Sequence, residues 1–384
     1  MSSRLAASAA RRRKLLIFVT EDWYFVSHRL SLAVAAQAAG YDVSIVTRVR
    51  DHAAVIRDSG LRLIPFENVR SSLNPLGELR TLARLVLLYR RERPDLVHHV
   101  AMKPVLYGSL AARLAGRPPA VNALAGMGWL FTSGTGGARW LKPAVRWALA
   151  RALATGVALV QNPDDALFVK QLGVPGSRIR RVAGSGVDLK QFRPQPFPGG
   201  DDSAPVVVLP ARLLWDKGVG EFVDAARLLR QRGVVARFVL AGEPDPLNPA
   251  SIPPDRVSQW IQEGIVECVG WVSDMPALMA ACHVVCLPSY REGLPKSLIE
   301  AAAAGKPIVT TDVPGCREAV RDGDNGLLVP PRNAQALADA LARLIENPEL
   351  RRQMGARGRI RAEQEFGMDK VIGQMLALYE EALA

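Results

Sequence analysis

Two carboxylates flank a turn in the stretch REGLPKSLIE, residues 291–300. Glu292 precedes Gly-Leu-Pro and Glu300 follows it, with Lys296 and Ser297 between the acids. A pair of acids can act as proton donor and nucleophile on a glycosidic bond, or it can hold the hydroxyls of a bound ligand. The neighbouring residues favour the second use. Pro295 suits the first turn of a helix and Gly305 its end, so a helix would start between the acids. The first amides of that helix, near Lys296, Ser297 and Leu298, have no partner within it. Together with the positive end of the helix dipole they can hold an anion. Earlier in the chain, PARLLWDKG sets Arg212 and Lys217 just past an apolar run. A guanidinium grips phosphate oxygens through two parallel bonds and an ammonium adds a point charge. Glu292 and Glu300 then reach different zones of one ligand whose phosphates lie between them.

Positioning such groups takes a scaffold, and the sequence spells one out twice. KLLIFVT, YDVSIVT, LRLIPF, PDLVHHV, AVNALAG and GVALVQN read as strands, and helical patterns such as HRLSLAVAAQAAG, LGELRTLARLVLLYRRER and KPVLYGSLAARLAG separate them. PVVVLPAR, ARFVLAG, IVECVGWV, HVVCLPS, PIVTTD and GLLVP repeat the pattern. Strand–helix alternation predicts α/β architecture: two doubly wound parallel sheets facing a cleft. The expected organisation is a basic tail over 1–13, a first domain over 14–192, a Pro/Gly-rich linker over 193–204 and a second domain over 205–368. A final helix over 369–384 would cross back to the first domain. No Gly-x-Gly-x-x-Gly follows either first strand and no P-loop occurs, which argues against a dehydrogenase or an NTPase.

The formal net charge is +12 and is unevenly spread. Residues 1–190 hold 28 Lys and Arg against 12 Asp and Glu; the remainder hold 21 against 25. The first half should therefore attract anions, such as a phosphorylated acceptor or an anionic membrane surface. Nucleic acid is not expected as a partner, because no zinc-finger, RNA-binding or basic-zipper signature is present. RWLKPAVRWALARALA interleaves Arg139, Lys142, Arg146 and Arg151 with Trp140, Leu141, Trp147 and Leu149, a pattern suited to a membrane surface as well as to a core-facing helix. No charge-free apolar run is long enough to span a bilayer. The cysteines, Cys268, Cys282, Cys286 and Cys316, form no C-x-x-C pair and read as reduced thiols of a cytoplasmic protein.

PARLLWDKGVGEFVDAA, LAGEP, GWVSDMPALMAACHVVCLPSYREGLPKSLIEAAAAGKPIVTTDVPGCREAV and NGLLVPPRN, in this order, resemble the family-four retaining glycosyltransferases, which have two Rossmann-like domains. EDWYFVSHRL with GYDVSIVT, and VHHVAMKPVLYGSLAARLAG, are similar to the subset that acts on lipid-linked sugars in surface polysaccharide or glycoprotein assembly. The resemblance implies the GT-B fold and transfer from a nucleotide sugar, most readily a UDP-sugar, to a polyprenyl-diphosphate-linked saccharide. That reaction would run at the cytoplasmic membrane face. It implies that Arg212 and Lys217 bind the diphosphate and stabilise the departing nucleotide, that Glu292 contacts the transferred sugar, and that Glu300 holds the ribose. Backbone around Leu294, Pro295, Lys296, Ser297 and Leu298 would line the diphosphate. No metal and no cofactor are expected. DGDNG, residues 322–326, reads as a turn rather than a metal motif.

On the acceptor side His28, Arg29, His99 and Lys103 are candidate ligands for phosphate or sugar. Many relatives carry a histidine where this chain has Ala125 and Gly126; Gly126 would let the sugar approach the backbone. SGTGG, residues 133–137, reads as a mobile loop, either one that closes over substrate or a plain flexible connection. A nucleotide-sugar epimerase or hydrolase, and a non-catalytic nucleotide-sugar or lipid-binding subunit, are the alternative expectations.

Overall fold

The computed structural model describes residues 11–67, 75–124, 136–199 and 204–384. Seven strands form the first sheet: β1 (Lys14–Glu21), β2 (Asp42–Arg48), β3 (Arg62–Pro65), β4 (Leu96–Val100), β5 (Ala120–Ala123), β6 (Val157–Val160) and β7 (Ile179–Arg181). Their order is β3-β2-β1-β4-β5-β6-β7. The second sheet has six: β8 (Val206–Pro210), β9 (Arg237–Ala241), β10 (Glu267–Gly270), β11 (Val284–Leu287), β12 (Ile308–Thr311) and β13 (Gly326–Val329), ordered β10-β9-β8-β11-β12-β13. Every pairing within both sheets is parallel. The inner strands are largely apolar runs buried on both faces, as a sheet covered on both sides by helices demands, whereas the edge strands β3, β7 and β10 are partly exposed. In each sheet the strand order reverses beside the first strand, between β1 and β4 and between β8 and β11. The crevice outside the carboxyl ends of such a pair is where open α/β sheets bind ligands.

Two sequence expectations shift. EDWYFVSH, between the expected strand KLLIFVT and the expected helix HRLSLAVAAQAAG, contains the helix Asp22–His28, followed directly by a second helix, Leu30–Ala38. Asp22 supports the bend: its carboxylate accepts from the backbone amides of Arg50 at 2.6 Å and His52 at 3.1 Å. The passage between domains also comes earlier than the Pro/Gly-rich stretch. Val182 packs in the first core, whereas Val187 and Phe192 pack in the second. The chain therefore leaves the first core directly after Val182, with Ala183 already against the second, and residues 187–192 belong with the second domain.

The return crossing lies against the first. The Val187 amide donates to the Phe366 carbonyl at 2.9 Å, and the Met368 amide to the Val187 carbonyl at 3.0 Å. Gly186 has φ +72°, and a β-carbon there would press on the Met368 backbone. The helix Met368–Leu383 then packs on the first domain, burying Val371, Met375, Leu378 and Tyr379 in its core. The Tyr379 hydroxyl lies 2.7 Å from Nδ1 of buried His98.

Candidate active site

The two segments singled out by their charges leave neighbouring strands. Arg212 and Lys217 follow β8, Glu292 follows β11, and these strands pair through Val207–Val284 and Val208–Val285. Gly218, at φ +73°, lets the loops touch: a β-carbon there would strike the Pro288 carbonyl. The Tyr290 amide donates to the Asp216 carbonyl at 2.9 Å. This contact delivers the Lys217 ammonium onto Oε1 of Glu292, which also accepts from Ser289 Oγ at 2.7 Å. The Glu292 amide donates to the Pro314 carbonyl at 3.1 Å, fixing the loop from its other side.

Arg212 is held by Asp245, Nη1 to Oδ2 at 2.5 Å, and its guanidinium lies 5.7 Å from the ring centroid of Trp23 in the first domain. The helix Lys296–Ala303 begins after Pro295, and no side chain caps it. The Leu298 amide donates to the Pro295 carbonyl at 3.1 Å and its side chain is fully buried in the second core. Leu298 is therefore removed from the expected diphosphate lining, because both its amide and its side chain are engaged elsewhere. Leu294 is also buried, against Gly184 at the crossover. Glu300 is 4% exposed and lies 3.2 Å from the Lys296 ammonium. Burial pushes its carboxyl above the ordinary glutamate range, with Lys296 opposing. Asp216, between the two cations in sequence, has its carboxyl raised by burial, and its Oδ1 has no hydrogen-bond partner.

The first domain reaches the same place. The Lys296 ammonium donates to the Ser27 carbonyl at 2.9 Å. The next residue, His28, stacks on Tyr24 with ring centroids 4.2 Å apart. Burial, then the charges of Arg29, Lys296 and Lys217, push the His28 imidazole down to about 3, so it is neutral near pH 7. Arg29 is 5% exposed; Nη1 donates to the His28 carbonyl at 3.0 Å, and Nε is buried without a partner. The Ser27–Lys296 contact sets these two residues where the first domain meets the second.

His99 lies elsewhere. It points into the core of the first domain, where Nε2 meets the Tyr89 hydroxyl at 3.0 Å and Nδ1 meets Asn122 Oδ1 at 2.7 Å. With no exposure and both ring nitrogens occupied, it is a structural residue rather than an acceptor ligand. Lys103 sits at the start of the helix Met102–Leu114 and is bonded to Glu78 at 2.9 Å. Gly126, like Ala125 and residues 133–135 of SGTGG, lies outside the described residues. Among the described residues, no three His, Cys, Asp or Glu side chains gather as metal ligands.

Sequence reasoning missed the contacts that brace the cleft. Arg291 forms an ion pair with buried Asp165, and Asn162 Nδ2 donates to the Gly293 carbonyl at 2.8 Å. The available signal was QNPDD. Asn162 caps the helix Pro163–Gln171 by accepting from the Asp165 amide at 2.8 Å, and the same residues reach across to the loop of Arg291 and Gly293.

Comparison with known proteins agrees with this architecture. Residues 204–347 match the family described as glycosyl transferases group 1, and residues 14–156 match glycosyl transferase 4-like. The chain is 28% identical to the N,N'-diacetylbacillosaminyl-diphospho-undecaprenol alpha-1,3-N-acetylgalactosaminyltransferase of Campylobacter jejuni, over 92% of this chain and 95% of that one. It is 23% identical to the UDP-Gal:alpha-D-GlcNAc-diphosphoundecaprenol alpha-1,3-galactosyltransferase of Escherichia coli, over 81% of each. In fold it is similar to Anabaena HepE in complex with UDP and glucose, with TM-score 0.77 at 20% identity over 95% of this chain and 99% of that one. Sucrose-phosphate synthase from Thermosynechococcus elongatus gives 0.79 at 22% identity, covering 96% and 99%. With both halves matched and two parallel-sheet domains meeting at their strand ends, the chain belongs to the family-four glycosyltransferases of the GT-B fold.

Proposed function

We propose that the enzyme transfers a sugar, with retention, from a UDP-sugar to a polyprenyl-diphosphate-linked saccharide at the cytoplasmic face of the membrane. The observation that carries this reading is the Lys217–Glu292 pair, with Arg212 beside it and the uncapped start of the helix Lys296–Ala303 below. In the reaction the bond from the anomeric carbon to the β-phosphate oxygen breaks, and its electron pair leaves with UDP. The acceptor hydroxyl oxygen bonds to that carbon and its proton is released. Negative charge therefore grows on the diphosphate, where preorganised cations and amides stabilise it most. Lys217 and Arg212 supply the cations, and the backbone at Lys296 and Ser297 the amides. Glu292 takes the transferred sugar's hydroxyls, and Glu300 the ribose.

Each cation is held by a carboxylate, Asp245 for Arg212 and Glu292 for Lys217. This keeps both side chains in place for the diphosphate. His28 and Arg29 face the acceptor, and the unpartnered Nε of Arg29 suits an acceptor phosphate. The lipid-linked acceptors named for the relatives of Campylobacter jejuni and Escherichia coli support this acceptor class.

The test is passage of radiolabelled sugar from UDP-sugars to polyprenyl-diphosphate saccharides. Lys217→Ala and Glu292→Gln should each lower transfer by about 10²–10³-fold, the range for removing one transition-state charge partner. Full transfer by both variants would refute the site. Rapid donor consumption without acceptor would refute the transferase reading in favour of a hydrolase or epimerase.

A further inference from the structure

Three helices lie side by side on one face of the first sheet: Pro75–Glu92, Met102–Leu114 and Gly136–Leu153. They run in the same direction. Glu78 meets Lys103 near two of the starts, Arg90 donates to the Leu114 carbonyl at 2.9 Å near two of the ends, and Arg113 donates to the Arg151 carbonyl at 3.3 Å. Each helix packs its own apolar stripe inward, with Leu85 and Tyr89, Ala111 and Ala112, and Leu149 and Leu153 in the core.

Their outward faces are not those of ordinary solvated helices. Leu79, Leu87 and Trp147 are each 64% exposed, and Leu110 and Leu114 about half exposed. Leu79, Ala83 and Leu87 follow at i, i+4, i+8, one line along the outer side of their helix. Among the described residues there are seven exposed leucines, and five of them lie on the first two of these helices. Single exposed apolar residues need no explanation, but a set gathered on adjacent helices does.

The charges around these residues have one sign. Arg80 and Arg84 alternate with the leucine line, and Arg151 stacks over Trp147 at 5.4 Å. Between Asp95 and Asp164 the chain has no Asp or Glu, while it has seven Lys and Arg. The two acids of the helix Pro75–Glu92 are both engaged, Glu78 by Lys103 and Glu92 by Arg62 and Arg91. The opposite layer differs: its helix Met368–Leu383 carries Asp369, Glu380 and Glu381 with a single lysine.

We infer that this three-helix face, and not the helix Gly136–Leu153 alone, is where the enzyme docks onto an anionic phospholipid bilayer. Cations interspersed with exposed leucines and a tryptophan match a surface that is anionic outside and apolar just beneath. A second copy of the chain is a poor occupant, because a two-fold contact would set arginine against arginine. In a parallel α/β layer the helices start at the carboxyl ends of the strands, so this face borders the cleft at its helix N-termini. A lipid-linked acceptor lying in the headgroup plane would therefore reach the site without leaving the bilayer. That last step rests on the transferase reading above; the docking surface does not.

The experiment is flotation of the full chain with phosphatidylcholine vesicles with and without phosphatidylglycerol. Binding should require phosphatidylglycerol and weaken at high salt. It should fall about tenfold in the double variant Leu79→Ser, Leu87→Ser, and severalfold in Arg80→Gln. Val34→Ser, on the opposite layer, should leave it unchanged. The leucine variant should retain transfer to a water-soluble short-chain acceptor and lose transfer to the same saccharide in vesicles. Equal binding to neutral vesicles, or undiminished binding of both variants, would overturn the inference. So would a dimer that the leucine substitutions split. If the enzyme transferred no sugar to any acceptor but kept leucine-dependent binding, the functional reading would fail and the docking surface would stand.

Discussion

At the scale of single residues, Glu300 offers the most discriminating test. Its carboxylate would accept from ribose hydroxyls, a role that needs the ionised form. Burial raises its carboxyl, so protonation begins at higher pH than for an exposed glutamate. Donor affinity should therefore weaken as pH falls towards the upper edge of the glutamate range. Glu300→Gln, which keeps the shape but not the charge, should raise the UDP dissociation constant on the order of tenfold, the loss of about one charge-assisted hydrogen bond. It should also remove Glu300's share of the pH dependence, leaving the slope that the UDP β-phosphate contributes with its second ionisation at about pH 6. Calorimetric titration of UDP into both proteins between pH 5.5 and 8 measures this, and a parallel pH slope in the variant would sink the assignment. The placement of Arg212, Lys217, Glu292 and Glu300 was legible in the sequence because their setting is local: a strand end, a short loop and a helix start. His99 was not, because a strand's alternation does not say which face carries the ligand. Its ring is spent on Tyr89 and Asn122, residues distant in the chain.

At the scale of elements, the site depends on how closely two loops approach. Gly218 is both left-handed and pressed against the Pro288 carbonyl, whereas Gly233 is left-handed, at φ +77°, with nothing within 4 Å of its missing β-carbon. Alanine at either position carries the left-handed penalty, about 1–2 kcal/mol. Only at Gly218 must the Arg212–Lys217 loop also move. Gly218→Ala should thus lower kcat/KM at least about tenfold, and Gly233→Ala should lower the melting temperature with kcat/KM unchanged. Equal kinetics in the two variants would show that the loop approach does not set the site. The strands and most helices were legible from apolar runs and their spacing. The bend at Asp22–His28 was not, since it is held by the amides of Arg50 and His52, and neither was the crossover. The Pro/Gly-rich composition of 193–204 advertises a linker, but the passage is set by which core receives Val182 and Val187, a matter of tertiary packing.

For the molecule as a whole, four histidines, three buried and His28 half-buried, are pushed below their ordinary value: His28 to about 3, His99 and His283 to about 4, and His98 well down, in every case chiefly by desolvation. A base whose folded value is depressed contributes stability that is present above its unfolded value, near 6.5, and lost as pH falls below it. At pH 5 the unfolded chain binds a proton at each site and the folded chain binds almost none, a penalty of about 1–2 kcal/mol per buried histidine. Raised carboxyls act in the opposite sense: Glu300, Asp165 and Asp216 favour the folded state once they protonate in it. They act from their raised folded values down to unfolded values near 4, so they offset part of the loss as pH approaches 5, while the four histidines act across the whole interval from 6.5 downward. His98 also bonds Tyr379, which ties the returning helix Met368–Leu383 to the first domain. The melting temperature should therefore fall by at least about 5 °C between pH 7.5 and pH 5. His98→Gln, which cannot take up a proton in this range, should start from a lower melting temperature and show a shallower fall. Differential scanning calorimetry across that interval decides it. An unchanged melting temperature would mean that the buried imidazoles take up protons in the folded state.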